Sequence, residues 1–278
     1  MSNSKLRVDD ILNRFASPQY LGGGGQKQVY RVKHADLGTV VVKIGTFGSP
    51  QELERVRREV DVLRAINSPY FPKQYACDVV DATRYLIIEE LIPGEPLHLS
   101  FHRFSTERDV LTLLYHLITG MGLLWSRRVV HRDLKPANIM IADDHPRIID
   151  LGIARLLDST SLTMSIAPFG PCTPNYASPE QLTNQKPGID HRSDQFTLGI
   201  VSAQLLLGGQ HPFDPRLVGQ GASIPENILH GAWDANSLAK RCSAKVFNLI
   251  RRMLGAQPYM RYRRYEDLTQ AIAAVMEA

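Results

Sequence analysis

Two short polar segments constrain this chain more than any other part of its sequence. The first reads His131-Arg132-Asp133-Leu134-Lys135-Pro136-Ala137-Asn138, and the second reads Asp150-Leu151-Gly152. A turn can bring Asn138 back beside Asp133, and the stretch from Arg147 to Ile149 predicts a strand that ends at Asp150. A fold for this chain must therefore accommodate two carboxylates, an amide and an ammonium group close to one another.

These groups suit the transfer of a phosphoryl group from a nucleotide. That reaction needs a carboxylate near the attacking hydroxyl and oxygen ligands for a hard divalent cation around the phosphates. Asp133 supplies the first. The amide oxygen of Asn138 and the carboxylate of Asp150 are ligand types that Mg²⁺ prefers, and Lys135 can offset charge on the transferring group.

The two segments resemble the catalytic loop and the metal-binding motif of the protein kinase family, with Leu151 in place of the usual phenylalanine. The resemblance implies a bilobal α+β fold, with a small antiparallel-sheet lobe that holds one helix and a larger, mainly helical lobe. It implies ATP and Mg²⁺, or Mn²⁺, as cofactors, and Asn138 and Asp150 as metal ligands. The expected parts are an amino-terminal extension over 1–19, the smaller lobe over 20–92 and the larger lobe over 93–278.

Local patterns support this division. Before residue 93, short segments rich in Val, Ile and Tyr predict strands, and one helical pattern interrupts them. The predicted strands are Gln28–Val32, Thr39–Ile44 and Arg84–Glu89, and the predicted helices are Gln51–Ile66 and a short one within Leu6–Phe15. After Ile92-Pro93-Gly94, apolar residues recur at helical spacing, which predicts helices.

A glycine-rich segment near the start resembles the kinase loop that covers the nucleotide phosphates. Its small residues let backbone N–H groups approach phosphate oxygens closely. The candidate nucleotide-binding residues are Leu21, Gly22, Gly23, Gly24, Gly25 and Val29. Lys27 departs from the family pattern, because a third glycine usually stands there. The loop alone is a weak signal, since an ordinary hairpin has the same composition.

Lys43 follows three valines and resembles the lysine of the family's V-A-I-K strand, which implies that it reaches the α- and β-phosphates. Its expected partner is Glu59, which shares one face of the predicted helix with Leu63. A lysine in a cleft needs a carboxylate to stay charged and positioned. Taken alone, Lys43 is equally well a surface lysine at a strand end, and the other motifs favour the catalytic role.

The segment from Tyr85 to Leu91 resembles the strand that enters the kinase hinge. By this resemblance Ile88 stands at the gatekeeper position, at the back of the adenine pocket. The backbone groups of Glu89 and Leu91 are expected to hydrogen-bond the adenine edge. Side chains are expected to contribute little to that contact.

A hydroxyl-rich segment precedes Ser178-Pro179-Glu180, which resembles the A-P-E motif at the end of the kinase activation segment. Its hydroxyl residues are Ser159, Thr160, Ser161, Thr163 and Ser165. Such a loop is usually only a flexible surface loop. In the family pattern, however, the arginine before the catalytic aspartate, here Arg132, holds a phosphate added to the loop. We therefore predict autophosphorylation of this segment.

Other positions complete the resemblance. Thr173 matches a threonine that contacts Asp133 and Lys135, which implies serine/threonine rather than tyrosine specificity. Glu180 is expected to pair with Arg261. Asp194 is expected to accept hydrogen bonds from backbone N–H groups of the catalytic loop. The matching residues are closest in character to the eukaryotic-type serine/threonine kinases of bacteria.

Composition limits the partners. Hydrophobic residues make up 44% and charged residues 22% of the chain, and no apolar run approaches the roughly 18 to 20 residues of a membrane span. The net charge of +4 comes from mixed basic and acidic residues without interleaved aromatic residues, which favours solvated helix faces over nucleic-acid binding. The three cysteines are dispersed, which indicates reduced thiols. With no signal-like apolar segment at the start, we predict a cytoplasmic protein.

The expected activity is ATP- and Mg²⁺-dependent transfer to serine or threonine hydroxyls of protein substrates, with transient self-association for autophosphorylation in trans. Two other functions fit part of the pattern. A small-molecule kinase also carries the catalytic aspartate and metal-binding groups, but the long activation segment and Arg261 argue against it. A pseudokinase scaffold usually lacks one of the residues equivalent to Lys43, Asp133 and Asp150, and here only Lys27 favours it.

Overall fold

The computed structural model describes residues 7–24, 27–143, 145–151, 155–156, 172–219 and 223–277. The chain divides into two compact units, Met1–Pro93 and Gly94–Ala278. The sequence placed this boundary one residue earlier. The first unit is built around a sheet and the second mainly from helices, which confirms the predicted α+β class.

The first unit contains an antiparallel sheet and two helices. In chain order its elements are α1 (Val8–Leu12), β1 (Ala16–Gly24), β2 (Lys27–His34), β3 (Gly38–Thr46), α2 (Pro50–Ile66), β4 (Gln74–Asp81) and β5 (Arg84–Glu90). The strand order is β1-β2-β3-β5-β4. Strand β3 is rich in valine, and β-branched side chains pack well on a pleated surface that is covered on both faces.

One face of this sheet packs against α1. Ile11 and Leu12 of the helix are buried with Val42 and Ile88 of the central strands. Val42 lies opposite Ile88 in the antiparallel pairing of β3 and β5. Side chains alternate between the two faces of a strand, so the neighbouring Lys43 projects from the other face.

Helix α2 has a clear start and end. The hydroxyl of Ser49 accepts a hydrogen bond from the N–H of Glu52 at 3.3 Å, and a proline occupies the first turn. The helix ends at Ile66, and its C-cap residue, Asn67, takes the left-handed conformation with φ 40°. Near this end, Arg64 donates to the main-chain oxygen of Tyr75 at 2.9 Å and so links the helix to β4.

The second unit holds a two-stranded and a three-stranded sheet among helices. Its strands are β6 (Glu95–Pro96), β7 (Val129–Val130), β8 (Ile139–Ala142), β9 (His145–Ile148) and β10 (Arg155–Leu156). Its α-helices are α3 (Glu107–Trp125), α4 (Pro179–Leu182), α5 (His191–Leu206), α6 (Pro215–Val218), α7 (Ile224–His230), α8 (Ala235–Ala239), α9 (Ala244–Met253) and α10 (Tyr265–Met276). Short 3₁₀ helices are Leu97–Leu99, Phe101–Arg103, Pro136–Asn138, Pro174–Tyr176, Lys186–Gly188 and Pro258–Met260.

Helix α5 forms the centre of the second unit. Its side chains are buried from Ser193 to Leu206. Gly199 lets this helix approach α9, because a Cβ atom there would lie 3.0 Å from the Cβ of Met253. In the part of the chain that the structure describes, no helix has both the length and the apolar character needed to span a membrane.

A buried histidine in this unit gives a pH-dependent stability. The N–H of Phe213 donates to Nδ1 of His211, so Nε2 carries the proton and donates to the main-chain oxygen of Asn175 at 3.0 Å. Burial lowers the pKa of His211 from 6.5 to about 4. Between these values the unfolded chain binds a proton that the folded chain does not, so stability falls as the pH falls.

We expect this histidine to account for a loss of about 3 kcal/mol in unfolding free energy as the pH decreases from 6.5 to 4. Urea unfolding of the wild type and of His211→Gln, measured across this range, checks the prediction. The glutamine variant, which cannot titrate here, should lose correspondingly less stability than the wild type. Parallel pH profiles for the two proteins would contradict the assignment.

Candidate active site

The backbone of the segment from His131 to Asn138 is bound by the carboxylate of Asp194, which lies in the first turn of α5. One oxygen of Asp194 accepts the main-chain N–H of His131 at 3.0 Å and the other that of Arg132 at 2.9 Å. The indole N–H of Trp125 adds a bond of 2.9 Å. Burial raises the pKa of the Asp194 carboxyl, while these hydrogen bonds act to lower it. The predicted role of Asp194 is confirmed, and the contribution of Trp125 is new.

Arg132 adopts a left-handed backbone conformation, with φ 71°. This region is unfavourable for residues other than glycine, and it persists where the surroundings enforce it. Two side chains do so here. Asp194 accepts the N–H of Arg132, and the side-chain amide of Gln181 donates to its carbonyl oxygen at 2.7 Å. The backbone just before Asp133 is therefore fixed from both sides.

Asp133, Lys135 and Thr173 form a closed hydrogen-bonded ring. The ammonium of Lys135 lies 2.9 Å from Oδ2 of Asp133 and donates to the hydroxyl of Thr173 at 2.7 Å. That hydroxyl donates in turn to Oδ1 of Asp133 at 2.6 Å, and the N–H of Thr173 reaches the same oxygen at 2.9 Å. The structure thus brings together the three side chains that the resemblance associated, and it fixes the direction of the Asp133 carboxylate.

Asn138 and Asp150 lie at one end of the hairpin formed by β8 and β9. Ile139 lies opposite Ile148, and the N–H of Ile149 donates to the main-chain oxygen of Asn138 at 2.9 Å. The side-chain nitrogen of Asn138 donates to the main-chain oxygen of Asp133 at 2.8 Å. This bond leaves the amide oxygen as the atom that can bind a cation. An amide oxygen and a carboxylate such as that of Asp150 are ligand types that fit Mg²⁺.

Asp150 also has a left-handed backbone, with φ 65°. Residues in such conformations cluster at functional sites, where the surroundings offset the cost. The rest of this motif, Gly152, lies outside the described residues, as do Gly25 and the predicted phosphorylation segment Ser159–Ser165. Predictions for those positions stay predictions.

Glu180 and Arg261 form a buried ion pair. The guanidinium donates to both carboxylate oxygens, at 2.7 and 3.0 Å, and Arg261 is 1% exposed. The hydroxyl of Ser193 donates to Glu180 at 2.6 Å, and Arg261 lies over the ring of Phe196. The predicted pairing is confirmed. It joins the end of the segment after Thr173 to the far end of the second unit.

In the first unit, the glycine segment forms a hairpin between β1 and β2. Gly22 lies opposite Val29, and Gly23 lies opposite Gln28. A Cβ atom at Gly23 would lie 2.5 Å from the main-chain oxygen of Lys27, so glycine is required for this close pairing. Both interpretations of the segment, nucleotide loop and ordinary hairpin, predict this geometry, so the hairpin does not distinguish them.

Lys43 lies beside a carboxylate that the sequence did not indicate as its partner. Its ammonium is 2.6 Å from Oε1 of Glu89, and both side chains are almost fully buried. Glu59 lies half-buried on α2, and its pairing with Lys43 stays a prediction. Strand β5 thus contributes a charged side chain where only backbone contacts were expected.

The gatekeeper assignment to Ile88 is wrong. Ile88 lies opposite Val42 and belongs to the core beneath α1, on the face opposite Lys43. Val41 lies opposite Glu89, so Glu89 is the residue at this end of β5 that shares the face of Lys43. The segment from Leu86 to Ile88 is apolar at every position, and no alternation in it indicates which residues face which side.

The family model described as "Protein kinase domain" matches residues 15–272. Serine/threonine-protein kinase pkn2 of Myxococcus xanthus is 29% identical over 95% of this chain and 33% of its own length. Probable serine/threonine-protein kinase PkwA of Thermomonospora curvata is 32% identical over 81% of this chain and 32% of its own length.

A third relative is serine/threonine-protein kinase PrkC of Bacillus subtilis (strain 168), which is 28% identical over 96% of this chain and 41% of its own length. The chain therefore spans between about a third and two fifths of the length of these relatives. The similarity covers both units of the chain described above.

Proposed function

The chain belongs to the protein kinase family, and from this premise we propose that it transfers the γ-phosphoryl group of ATP to serine or threonine hydroxyls of protein substrates. The observation that carries the proposal is the ring of Asp133, Lys135 and Thr173. It presents a carboxylate and an ammonium side by side, as phosphoryl transfer to a hydroxyl requires. The bacterial serine/threonine kinases among its relatives support the same substrate class.

Each side chain of the ring has a distinct role in this proposal. Asp133 accepts a hydrogen bond from the substrate hydroxyl and orients its oxygen for attack. Lys135 offsets the negative charge on the transferring group. Thr173 holds both, through bonds of 2.6 and 2.7 Å. Positioning of the nucleophile, rather than covalent chemistry, is what these residues supply.

Asn138 and Asp150 hold Mg²⁺, or Mn²⁺, in the proposal. When bound, the cation neutralises charge on the phosphate oxygens and helps to orient them. The bond from the Asn138 nitrogen to the backbone of Asp133 keeps the amide oriented with its oxygen available. Asn138 thereby couples the position of the metal ligand to the position of the catalytic carboxylate.

The first unit contributes contacts to ATP. Lys43 binds the α- and β-phosphates, and the segment Leu21–Gly25 with Val29 covers the nucleotide. Adenine is bound by main-chain groups near Leu91, just after the last residue of β5. Glu89 was expected to contribute its main chain too, but strand neighbours flank it on both sides, Val41 in β3 and Gln74 in β4. We therefore assign to Glu89 a side-chain role.

The experiment that tests the function is transfer of labelled γ-phosphate to a generic protein substrate such as casein. We expect label on serine and threonine, and loss of transfer when EDTA removes divalent cations. A small-molecule kinase would leave the protein substrate unlabelled. A scaffold without catalytic activity would label neither the substrate nor itself. Cytoplasmic location, absence of nucleic-acid partners and transient self-association stay predictions.

We also propose that the chain phosphorylates its own activation segment and that this raises its activity. Arg132, which precedes Asp133, is the residue expected to bind the added phosphate. Replacing the five hydroxyl residues of Ser159–Ser165 by alanine should lower the turnover of a protein substrate about tenfold or more. Phosphosite mapping by mass spectrometry after incubation with MgATP identifies the positions. Equal turnover in the alanine variant would overturn this part of the proposal.

A further inference from the structure

The ion pair between Lys43 and Glu89 is the feature of this site that no sequence motif accounts for. The two charged atoms lie 2.6 Å apart, and the side chains are 9% and 7% exposed. The second oxygen of Glu89 accepts a hydrogen bond from Nε2 of Gln74 at 3.0 Å. Both carboxylate oxygens are therefore engaged, and the carboxylate has one defined orientation.

The three residues lie on neighbouring strands and on one face of the sheet. Glu89 of β5 is directly opposite Val41 of β3, so Lys43 is its diagonal neighbour on the same face. Gln74 of β4 is directly opposite Glu89 on the other side. The row formed by Lys43, Glu89 and Gln74 thus crosses β3, β5 and β4. Its members keep their spacing because hydrogen-bonded strands hold them.

We infer that Glu89 is a positioning residue for the kinase reaction: it holds the ammonium of Lys43 in place for the nucleotide phosphates, from within the sheet. The inference rests on the proposed function, in which Lys43 binds those phosphates. An ammonium group has three N–H donors, and one bond to Glu89 leaves two for phosphate oxygens and other partners. A carboxylate on β5 keeps Lys43 charged whatever the position of helix α2.

The charge of Glu89 does not oppose phosphate binding in this arrangement. At 2.6 Å its charge is balanced by that of Lys43, and the Gln74 amide donates a hydrogen bond to the second carboxylate oxygen. Removing Lys43 alone leaves the Glu89 carboxylate buried without its cation, whereas removing both charges does not, so the double variant should lose less stability than Lys43→Met. This asymmetry lets an experiment separate a role through Lys43 from a general structural role.

The experiment is a double-mutant cycle with Glu89→Gln, Lys43→Met and both together. The readouts are the Kd for MgATP, kcat and KM with a protein substrate, and Tm. Glutamine keeps the size of Glu89 and can still bond Gln74, but it removes the charge. We expect E89Q to weaken MgATP binding about tenfold and to change kcat much less. In the Lys43→Met background the same substitution should change the Kd less than about twofold.

Thermal stability gives a readout that does not depend on ATP. Lys43→Met leaves the Glu89 carboxylate buried without its cation, so Tm should fall by roughly 6 °C or more. Adding E89Q should recover most of that loss. The exposed pair of Arg58 and Glu54 on α2, with an N–O distance of 3.1 Å, is the matched control. The corresponding cycle with Arg58→Met and Glu54→Gln should show almost no coupling in Kd or Tm.

Two results would overturn the inference: an equal effect of E89Q on the MgATP Kd with and without Lys43, or no recovery of Tm in the double variant. Glu89→Asp provides the conservative test, because this substitution keeps the charge and the variant should bind MgATP more tightly than E89Q. A wild-type chain that binds no MgATP would refute the proposed function together with the inference. That outcome is recognisable because it appears without any substitution.

Discussion

Replacing Asp133 by asparagine is expected to lower the rate of phosphoryl transfer by about 100- to 10,000-fold while MgATP still binds. In the described part of the chain, the groups hydrogen-bonded to this carboxylate all act as donors: the N–H and hydroxyl of Thr173, the ammonium of Lys135 and the amide of Asn138. An asparagine side chain must turn its NH₂ group toward some of these donors. The variant therefore loses both the base for the substrate hydroxyl and the orientation of the ring.

The measurement is initial-rate transfer of labelled phosphate to casein, with MgATP binding followed by titration calorimetry. The same chemical change at Asp61, an exposed residue of α2, is the control and should leave transfer and binding unchanged. An increase in the KM for ATP with no decrease in kcat would assign Asp133 to nucleotide binding instead. Unchanged turnover would contradict the catalytic assignment altogether.

Breaking the buried pair of Glu180 and Arg261 is expected to have the largest effect on stability. Arg261→Met should lower the unfolding free energy by about 3 to 5 kcal/mol, because it leaves the Glu180 carboxylate buried and without its cation. Arg261 also donates to the main-chain oxygens of Gly255 and Arg192. These oxygens lose their donor as well, so methionine, which matches the length of the arginine stem, does not compensate.

Urea unfolding followed by circular dichroism measures this change. Arg216→Met is the matched control, because Arg216 forms an equally short pair with Asp214 at 2.6 Å but is 87% exposed. Its removal should leave the unfolding midpoint unchanged within error. If the two arginine variants were equally stable, burial would not be what makes the Glu180–Arg261 pair important.

The Ser193 hydroxyl is a third group bound to this ion pair. It donates to the oxygen of Glu180 that also accepts a bond from Arg261. The pair therefore links three segments that are far apart in the chain. The Ser178-Pro179-Glu180 motif is thus a packing element of the second unit.

The short motifs of this chain could be interpreted from the sequence alone. Asp133, Lys135 and Asn138 lie within a few residues of one another, so local turns suffice to bring their side chains together. Three of the five strands and both helices that the structure describes in the first unit also followed from side-chain patterns, whereas β1 and β4 were not predicted. The helix predicted over Gln51–Ile66 spans Pro50–Ile66, since a serine cap and a proline mark its start. By contrast, the pair of Glu180 and Arg261 was expected from the family pattern and not from any local spacing in the sequence.

What supports these residues came only from tertiary structure. Trp125 and Gln181 bond to Asp194 and to the backbone of Arg132, respectively, across long stretches of sequence. Buried hydrogen bonds of this kind depend on how helices pack, and a tryptophan or a glutamine in a helix carries no local sign of such a role. The same applies to His211, whose pKa is lowered by burial and whose ring N–H bonds to the distant main-chain oxygen of Asn175.

The sequence by itself determined the kind of chemistry, because the reactive side chains are concentrated in short segments whose spacing is preserved in any fold. Strand register was decided by the tertiary structure alone. Side chains alternate between the faces of a strand, so a shift of one residue exchanges Ile88 for Glu89 beside Lys43. The apolar residues of β5 are equally suited to either face. Packing against α1 selects Ile88 for the core, and the carboxylate is left to pair with the lysine.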